Sequence, residues 1–280
     1  MVAPAEDQMA GMDEIVRYYS ELFNEDTRLC EGLGAIELAR TQAILSRELP
    51  PPPATVLDVG GGPGRYARWL VERGYTVHLI DIVPRHVEQA RRALANTSGT
   101  WTATVGDARR LELADGSLDA VLLMGPLYHV QAREERVTIL REAWRVLRPR
   151  GILCAAAISR FASLIDGISS GFVADPSFRE IVRADIATGR HVNPTADSRY
   201  FTTAYLHHPT ELRDELARAG FGRARVLAVE GILWAARDPA VVAPGGPAAG
   251  AVLEAMQQIE EDPSLIGASP HLMAVATRPT

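Results

Sequence analysis

Three glycines at alternate positions, Gly60, Gly62 and Gly64, follow the apolar run Val56-Leu57-Asp58-Val59 and precede an apolar, aromatic-containing stretch, Tyr66 to Val71. Read as strand, glycine turn and helix, this unit brings backbone N–H groups and a helix N-terminus up to a nucleotide-like ligand. Glycine suits the turn because unusual φ values are needed and because a Cβ would hold the ligand away. The spacing narrows the ligand class. A dinucleotide site needs G-x-G-x-x-G, which counted from Gly60 would put glycine where Arg65 stands. No G-K-[ST] follows the glycines either, which removes a P-loop. Further along, carboxylates close two more apolar runs, at Asp81 and in Gly106-Asp107-Ala108. Asp81 can accept hydrogen bonds from a pair of hydroxyls, with a turn or capping aspartate before Pro84 as the plain alternative. A fourth run ends at Met124 and leads into Gly125-Pro126-Leu127-Tyr128-His129. His129 is the candidate base, since an unperturbed pKa of about 6.5 suits proton removal near neutrality. The alternative is a histidine that hydrogen-bonds within its own turn and shapes the pocket, with Tyr128 beside it.

The elements that must position these residues alternate in type. Asp13–Leu22 and Gly34–Leu49 read as two helices, with Ile36, Ala39, Ala43 and Leu45 at helical spacing. Pro50 to Pro53 stop the second helix and act as a stiff spacer. Strands follow at 56–60, 76–81, 100–106, 118–124 and 151–158, separated by helices at 65–73, 84–96 and 133–147. Near-continuous apolar strands such as Ala120 to Met124 imply burial on both faces, as in a parallel sheet. The alternation then breaks. Residues 159–208 read as an insertion over the carboxyl ends of the strands, with short helices at 161–169 and 176–188 and a polar, aromatic stretch from Arg190 to Tyr205. Its Tyr200, Thr203, Tyr205 and His207 are the candidate contacts to a small substrate. A helix at 209–219, a strand at 223–229, a helix near 250–261 and a strand at 271–277 complete the chain. The organisation expected is a helical cap over 1–53 and one α/β domain over 54–280, with 159–208 as its lid.

Composition excludes several classes. Of 280 residues, 47% are apolar and 23% charged, an ordinary globular balance. The net charge is −6 and the basic residues, all arginine, are scattered. Phosphate-gripping proteins usually show a basic stripe, so nucleic acid is not the expected partner. No apolar run approaches the ~20 residues that span a bilayer. The small, polar, acidic stretch Met1–Glu14 lacks the marks of a secretory signal. Cys30 and Cys154 stand far apart and carboxylate or histidine ligands at helical or hairpin spacing are missing, so neither a disulfide framework nor a metal site is expected. A cytoplasmic protein, monomeric or homodimeric, fits these features.

Asp58-x-Gly60-x-Gly62-x-Gly64 is the D-x-G-x-G-x-G pattern, and from about Val56 to Ile158 the chain resembles class I methyltransferases that bind S-adenosylmethionine. The resemblance implies a Rossmann-like, doubly wound, mostly parallel seven-stranded sheet with an antiparallel last strand. It also implies that Asp58, Gly60, Gly62 and Gly64 meet the cofactor, that Asp81 with Ile82 takes the ribose, and that Asp107 and Ala108 meet the adenine. Met124 would face the methionine portion. That portion carries a carboxylate, for which Arg28 is the candidate partner, with Tyr18 or Tyr19 closing the pocket; a surface ion pair and cap packing are the alternatives. Relatives that methylate nucleic-acid nitrogens carry Asn/Asp-Pro-Pro-aromatic after the fourth strand. Gly125 stands at the first of those positions, which points away from that subclass. The expected reaction is methyl transfer to a small organic acceptor, at oxygen or nitrogen rather than carbon, leaving S-adenosylhomocysteine. A protein that binds S-adenosylmethionine without transferring its methyl is the alternative.

Overall fold

A computed structural model describes residues 14–22, 25–195 and 197–280. Asp13, Phe23 and Asn24, which fall in the expected first helix and the stretch before Arg28, lie outside the described residues. The described residues begin helically at Glu14 and widen into a π-type turn over Tyr18–Leu22, and a short helix, Glu25–Arg28, lies between the two helices read from the sequence. Helix α1 spans Gly32–Glu48 and ends at Leu49, which is extended ahead of the prolines as residues preceding proline tend to be. Then come β1 (Thr55–Val59), α2 (Arg65–Val71), β2 (Thr76–Asp81), α3 (Pro84–Leu94), β3 (Trp101–Val105), β4 (Leu118–Leu123), α4 (Arg133–Val146) and β5 (Leu147–Ser159). The insertion holds α5 (Ala162–Ser169), α6 (Pro176–Thr188), β6 (Arg190–His191) and β7 (Ala204–His207). The chain closes with α7 (Pro209–Arg218), β8 (Arg225–Ala228), α8 (Ala249–Ile259) and β9 (His271–Thr277).

The strands run in the order β3-β2-β1-β4-β5, all parallel, with β9 antiparallel on β5 and β8 on β9. These seven form the expected Rossmann-like sheet. Two faces bury separate clusters. Leu57, Val121, Leu153 and Ala274 meet α4 and α7 through Leu140, Ala143, Leu212 and Leu216. Val56, Leu79, Leu122 and Met273 meet α1, α2 and α3 through Ile44, Leu45, Leu70 and Ala90. Two strands were not foreseen. The two-residue β6 and the four-residue β7 are too short to show a period, and β7 joins only the far end of β5, at Ile158↔Leu206 and Ser159↔His207. Strand β5 also starts earlier than expected. It continues straight from α4, because Arg150 takes a positive φ of 67° and a shift of register absorbs the bend. No helix among the described residues is long and apolar enough to cross a membrane.

Register is what gathers the candidate residues. Val59 aligns with Ile80 on one side and Leu123 on the other, and Asp81 aligns with Val105. The residues that follow each strand therefore emerge along one edge. Chain order reverses between β1 and β4, the point where such sheets open a crevice. Gly60 is fixed there, at φ 70°, with a hypothetical Cβ 2.7 Å from Cδ of Pro126. Left-handed backbone costs a non-glycine residue roughly 1–2 kcal/mol, and forced overpacking about 1–3 kcal/mol. Gly60→Ala is accordingly expected to lose about 2–4 kcal/mol in urea unfolding of the ligand-free protein. A midpoint equal to that of the parent protein would show that the turn tolerates a side chain.

Candidate functional site

The crevice at this edge encloses about 1250 Å³ between its walls, solvent at the mouth included. Gly60, Gly61 and Gly62 line one side with Asp81, Ile82, Asp107 and Ala108; Met124, Tyr128 and His129 line the other; Tyr19, Arg28 and Glu37 come from the N-terminal helices. Eleven of the seventeen site residues read from the sequence thus share one cavity: Tyr19, Arg28, Gly60, Gly62, Asp81, Ile82, Asp107, Ala108, Met124, Tyr128 and His129.

Asp81 organises its surroundings. One carboxylate oxygen accepts the Gly62 N–H at 2.8 Å and the other the Val83 N–H at 2.8 Å. His86 Nδ1 lies 3.3 Å from the second oxygen. Each oxygen keeps lone-pair capacity for a ligand hydroxyl. Asp107 is gripped by Arg109 through two side-chain nitrogens and its backbone N–H. Burial pushes its carboxyl up, but those hydrogen bonds outweigh burial and hold it below the usual range.

The glycines divide their work differently from the sequence reading. A Cβ on Gly60 would strike Pro126, and one on Gly64 would meet Cβ of Ala90 at 3.0 Å. Gly64 therefore lets α2 pack against α3 and does not line the crevice. Gly62 is the glycine that faces it, with no protein atom nearer than 3.7 Å to a hypothetical Cβ. Asp58 is also displaced from its expected role. It is fully buried beneath the turn, with Oδ2 2.7 Å from where a Cβ of Gly61 would stand. Neither oxygen has a close hydrogen-bond partner, and the Ala67 backbone N–H offsets the burial only weakly. Burial first, and the Asp81 charge second, push its pKa up to about 7.

On the opposite wall, His129 Nε2 stands 3.0 Å from the Tyr19 hydroxyl. The Tyr19 and Tyr128 rings lie 5.3 and 4.8 Å from its ring, and Phe201 lies 5.9 Å away. Burial pulls the His129 pKa down to about 4, against smaller opposing effects from the Thr203 backbone and Asp81. The imidazole is therefore neutral at ordinary pH, and a weaker base than its unperturbed value suggested. Tyr128 donates its hydroxyl to the Met124 carbonyl at 2.9 Å, and burial raises its pKa further from neutrality, so it holds the wall as a phenol.

The four insertion residues named as substrate contacts do not line the crevice. Tyr200 packs its ring on Phe178 and donates to Asp175 at 2.7 Å. Thr203 donates its hydroxyl to Glu14 at 3.1 Å. The Tyr205 ring lies under the Arg136 guanidinium at 3.6 Å, and His207 Nε2 pairs with Glu215 at 3.2 Å. A buried cation, Arg136, in bidentate contact with Glu215 draws both side chains inward toward α4 and α7. The insertion still reaches the site by its backbone: the Tyr205 N–H donates to the Tyr128 carbonyl at 2.8 Å.

A polar cluster escaped the sequence reading. Arg28 lines the crevice but donates to Glu25 at 2.7 Å and to both oxygens of Glu37, at 2.5 and 3.1 Å. Its fork keeps further N–H donors for a ligand carboxylate. Glu37 also faces His271, whose Nδ1 lies 2.5 Å from Glu230. Burial opposes the charge on His271, but Glu230 and Glu37 outweigh it and raise its pKa to about 9. Glu37, Glu230 and His271 bring ligand atoms within 4.8 Å of one another, the geometry of a cation site, with the charges already met by Arg28 and the imidazolium. The members come from α1, the end of β8 and the start of β9.

Residues 56–151 match the methyltransferase-domain family. An uncharacterized methyltransferase of Mycobacterium tuberculosis is 37% identical over 105 residues, 38% of this chain and 40% of that protein. The demethylmenaquinone methyltransferase of Tropheryma whipplei is 31% identical over 149 residues, 52% of this chain and 59% of that protein. The chain thus spans about half the length of these curated relatives. An S-adenosylmethionine-dependent methyltransferase from Methanosarcina mazei shares the fold at TM-score 0.58 and 19% identity, over 84% of this chain and 97% of that one. So does a [4+2]-cyclase, at TM-score 0.54 and 18% identity, over 87% and 81%.

Proposed function

We propose that this chain, whose residues 56–151 are a class I S-adenosylmethionine-dependent methyltransferase domain, transfers the methyl group of that cofactor to a small organic acceptor. The observation that carries the reading is the convergence of Gly62, Asp81 and Asp107 on one wall of the crevice with Tyr128 and His129 facing them. The donor set fits the cofactor. Asp81 has lone pairs for ribose hydroxyls, Ile82 and Ala108 offer apolar contact to the base with Asp107 beside them, and Gly62 leaves room where a side chain would intrude. When bound, the cofactor would supply a sulfonium methyl whose carbon an acceptor lone pair attacks in line, the C–S electron pair leaving with the sulfur of S-adenosylhomocysteine.

The protein's own contribution is position and dryness. Tyr19, Tyr128 and His129 wall the space past Met124 with rings, and Phe201 backs His129. Holding a nucleophile at near-attack distance can account for roughly 7–11 kcal/mol of barrier. The described residues of 14–53 cap this space, and the insertion, which reaches it through the Tyr205 N–H on the Tyr128 carbonyl, is read as its lid. The net charge of −6 and the enclosed crevice favour a small acceptor, methylated at oxygen or nitrogen, in a cytoplasmic monomer or homodimer.

His129, neutral and hydrogen-bonded to Tyr19, receives the acceptor's proton only as attack acidifies it. His129→Ala is expected to cut turnover at least about tenfold, the low end of general-base contributions, with cofactor affinity within about twofold of the parent. Equal turnover would remove His129 from the proton path. The whole reading is tested by incubating the protein with S-adenosylmethionine and panels of small phenols, carboxylates and amines. Formation of S-adenosylhomocysteine with a methylated acceptor is the expected result. Tight cofactor binding with no product from any acceptor would favour a protein that holds the cofactor without transferring its methyl.

A further inference from the structure

A second cavity lies behind α1, on the side away from the crevice. Its walls are Ile36 and Ala39 of α1, Leu233, Val242 and Pro244 of the segment after β8, and Leu253 of α8, and it encloses about 510 Å³, open solvent included. Arg40 is the one charged residue in this lining.

Arg40 is 1% exposed. Its Nε donates to the Val229 carbonyl at 2.9 Å and its Nη2 to Glu260 at 2.6 Å, but Nη1 is buried and has no hydrogen-bond partner. Glu260, itself buried, is shared with a second guanidinium, that of Arg47. Glu260 therefore divides its charge between buried Arg40 and the partly exposed Arg47. An unmet charged donor in such surroundings is costly, and native proteins rarely leave one without a reason. An apolar chamber with a single under-satisfied guanidinium matches an anion carrying an apolar tail. A singly charged carboxylate suits this lining better than an anion of higher charge, because the cavity wall offers no second cation.

We propose that this cavity is a binding site for a small monocarboxylate with a short apolar tail, its carboxylate drawn to the Arg40 guanidinium and its tail among Ile36, Val242 and Leu253. The site is separate from the crevice. Helix α1 stands between them, presenting Glu37 and Thr41 to the crevice and Ile36 and Arg40 to this cavity.

The test is titration calorimetry on the full chain with hexanoate, with 1-hexanol as its uncharged match. Hexanoate is expected to bind at one site at least about tenfold more tightly than hexanol, the margin of a charge-assisted hydrogen bond. Ala249→Phe, which narrows the cavity from the start of α8, is expected to abolish that binding, and Arg40→Met to equalise the two ligands. Should Arg40→Met fail to fold, the hexanoate–hexanol comparison in the parent and in Ala249→Phe decides alone. Equal binding of the two ligands, or hexanoate binding unchanged in Ala249→Phe, would overturn the proposal. Displacement of hexanoate by S-adenosylhomocysteine would overturn it too, by placing the ligand in the crevice.

Discussion

Asp81→Ala is expected to lower affinity for S-adenosylmethionine and S-adenosylhomocysteine at least about a hundredfold, the cost of two charge-assisted hydrogen bonds at about 1.5 kcal/mol each. That magnitude counts only the contacts a carboxylate can make to two ribose hydroxyls. The side chain also accepts the Gly62 and Val83 N–H groups, so its loss loosens the glycine turn and the chain beyond β2 together. Asp81→Asn separates the two effects. The amide keeps one acceptor oxygen for the backbone but loses the charge and one of the two acceptors, and is expected to fall between the parent and the alanine variant. Calorimetric titration with S-adenosylhomocysteine measures both, and urea unfolding checks that the variants are folded. Affinity unchanged in Asp81→Ala would end the ribose assignment while leaving the fold untouched. Asp107 makes a weaker test, because Arg109 already occupies much of its acceptor capacity.

Asp81 also shows why so much of this site was legible in the sequence. Its place depends on a strand ending, and strand endings follow from short apolar runs and turn residues. Once register aligns those endings, Gly62, Asp81, Asp107 and Met124 meet without any further specification. What escaped was whatever depends on how a side chain is drawn inside the turn or the insertion. Gly64 and Asp58 belong to the same motif as Gly62, yet one serves helix packing and the other lies under the turn. Spacing cannot distinguish these, because φ and the neighbouring Ala90 decide them. Tyr205 and His207 were misplaced for a similar reason. Their attraction to Arg136 and Glu215 spans distant segments, and no local pattern records it. The Glu37–Glu230–His271 cluster likewise exists only because β8, β9 and α1 converge.

Asp58 carries the second large expectation, a stability that falls as pH rises through the mildly acidic range. Its pKa is about 7 in the fold and near 3.9 in an unfolded chain. The folded state therefore holds a proton that the unfolded state has released, and stability declines with pH across that interval. Below about pH 4 both states are protonated and nothing is lost; above about pH 7 the fold bears a fully buried carboxylate. The full difference is at most about 4 kcal/mol, at 1.36 kcal/mol per pKa unit. Asp58→Asn keeps the shape and removes the titration. Relative to the parent, the variant is expected to gain about 2–4 kcal/mol in unfolding free energy between about pH 4.5 and about pH 7. His271 does not confuse the measurement. Its pKa is raised to about 9 from an ordinary value near 6.5, so its contribution is intact below the lower value and is lost on the alkaline side. Chemical denaturation of the ligand-free protein at a series of pH values is the measurement, and parallel curves for parent and variant would show that Asp58 is ionised in the fold at acidic pH. A positive result would bear on the crevice too. The charge of Asp81 is one of the two causes that raise the Asp58 pKa, so the titration of the buried aspartate is linked to the residue placed to meet the ribose.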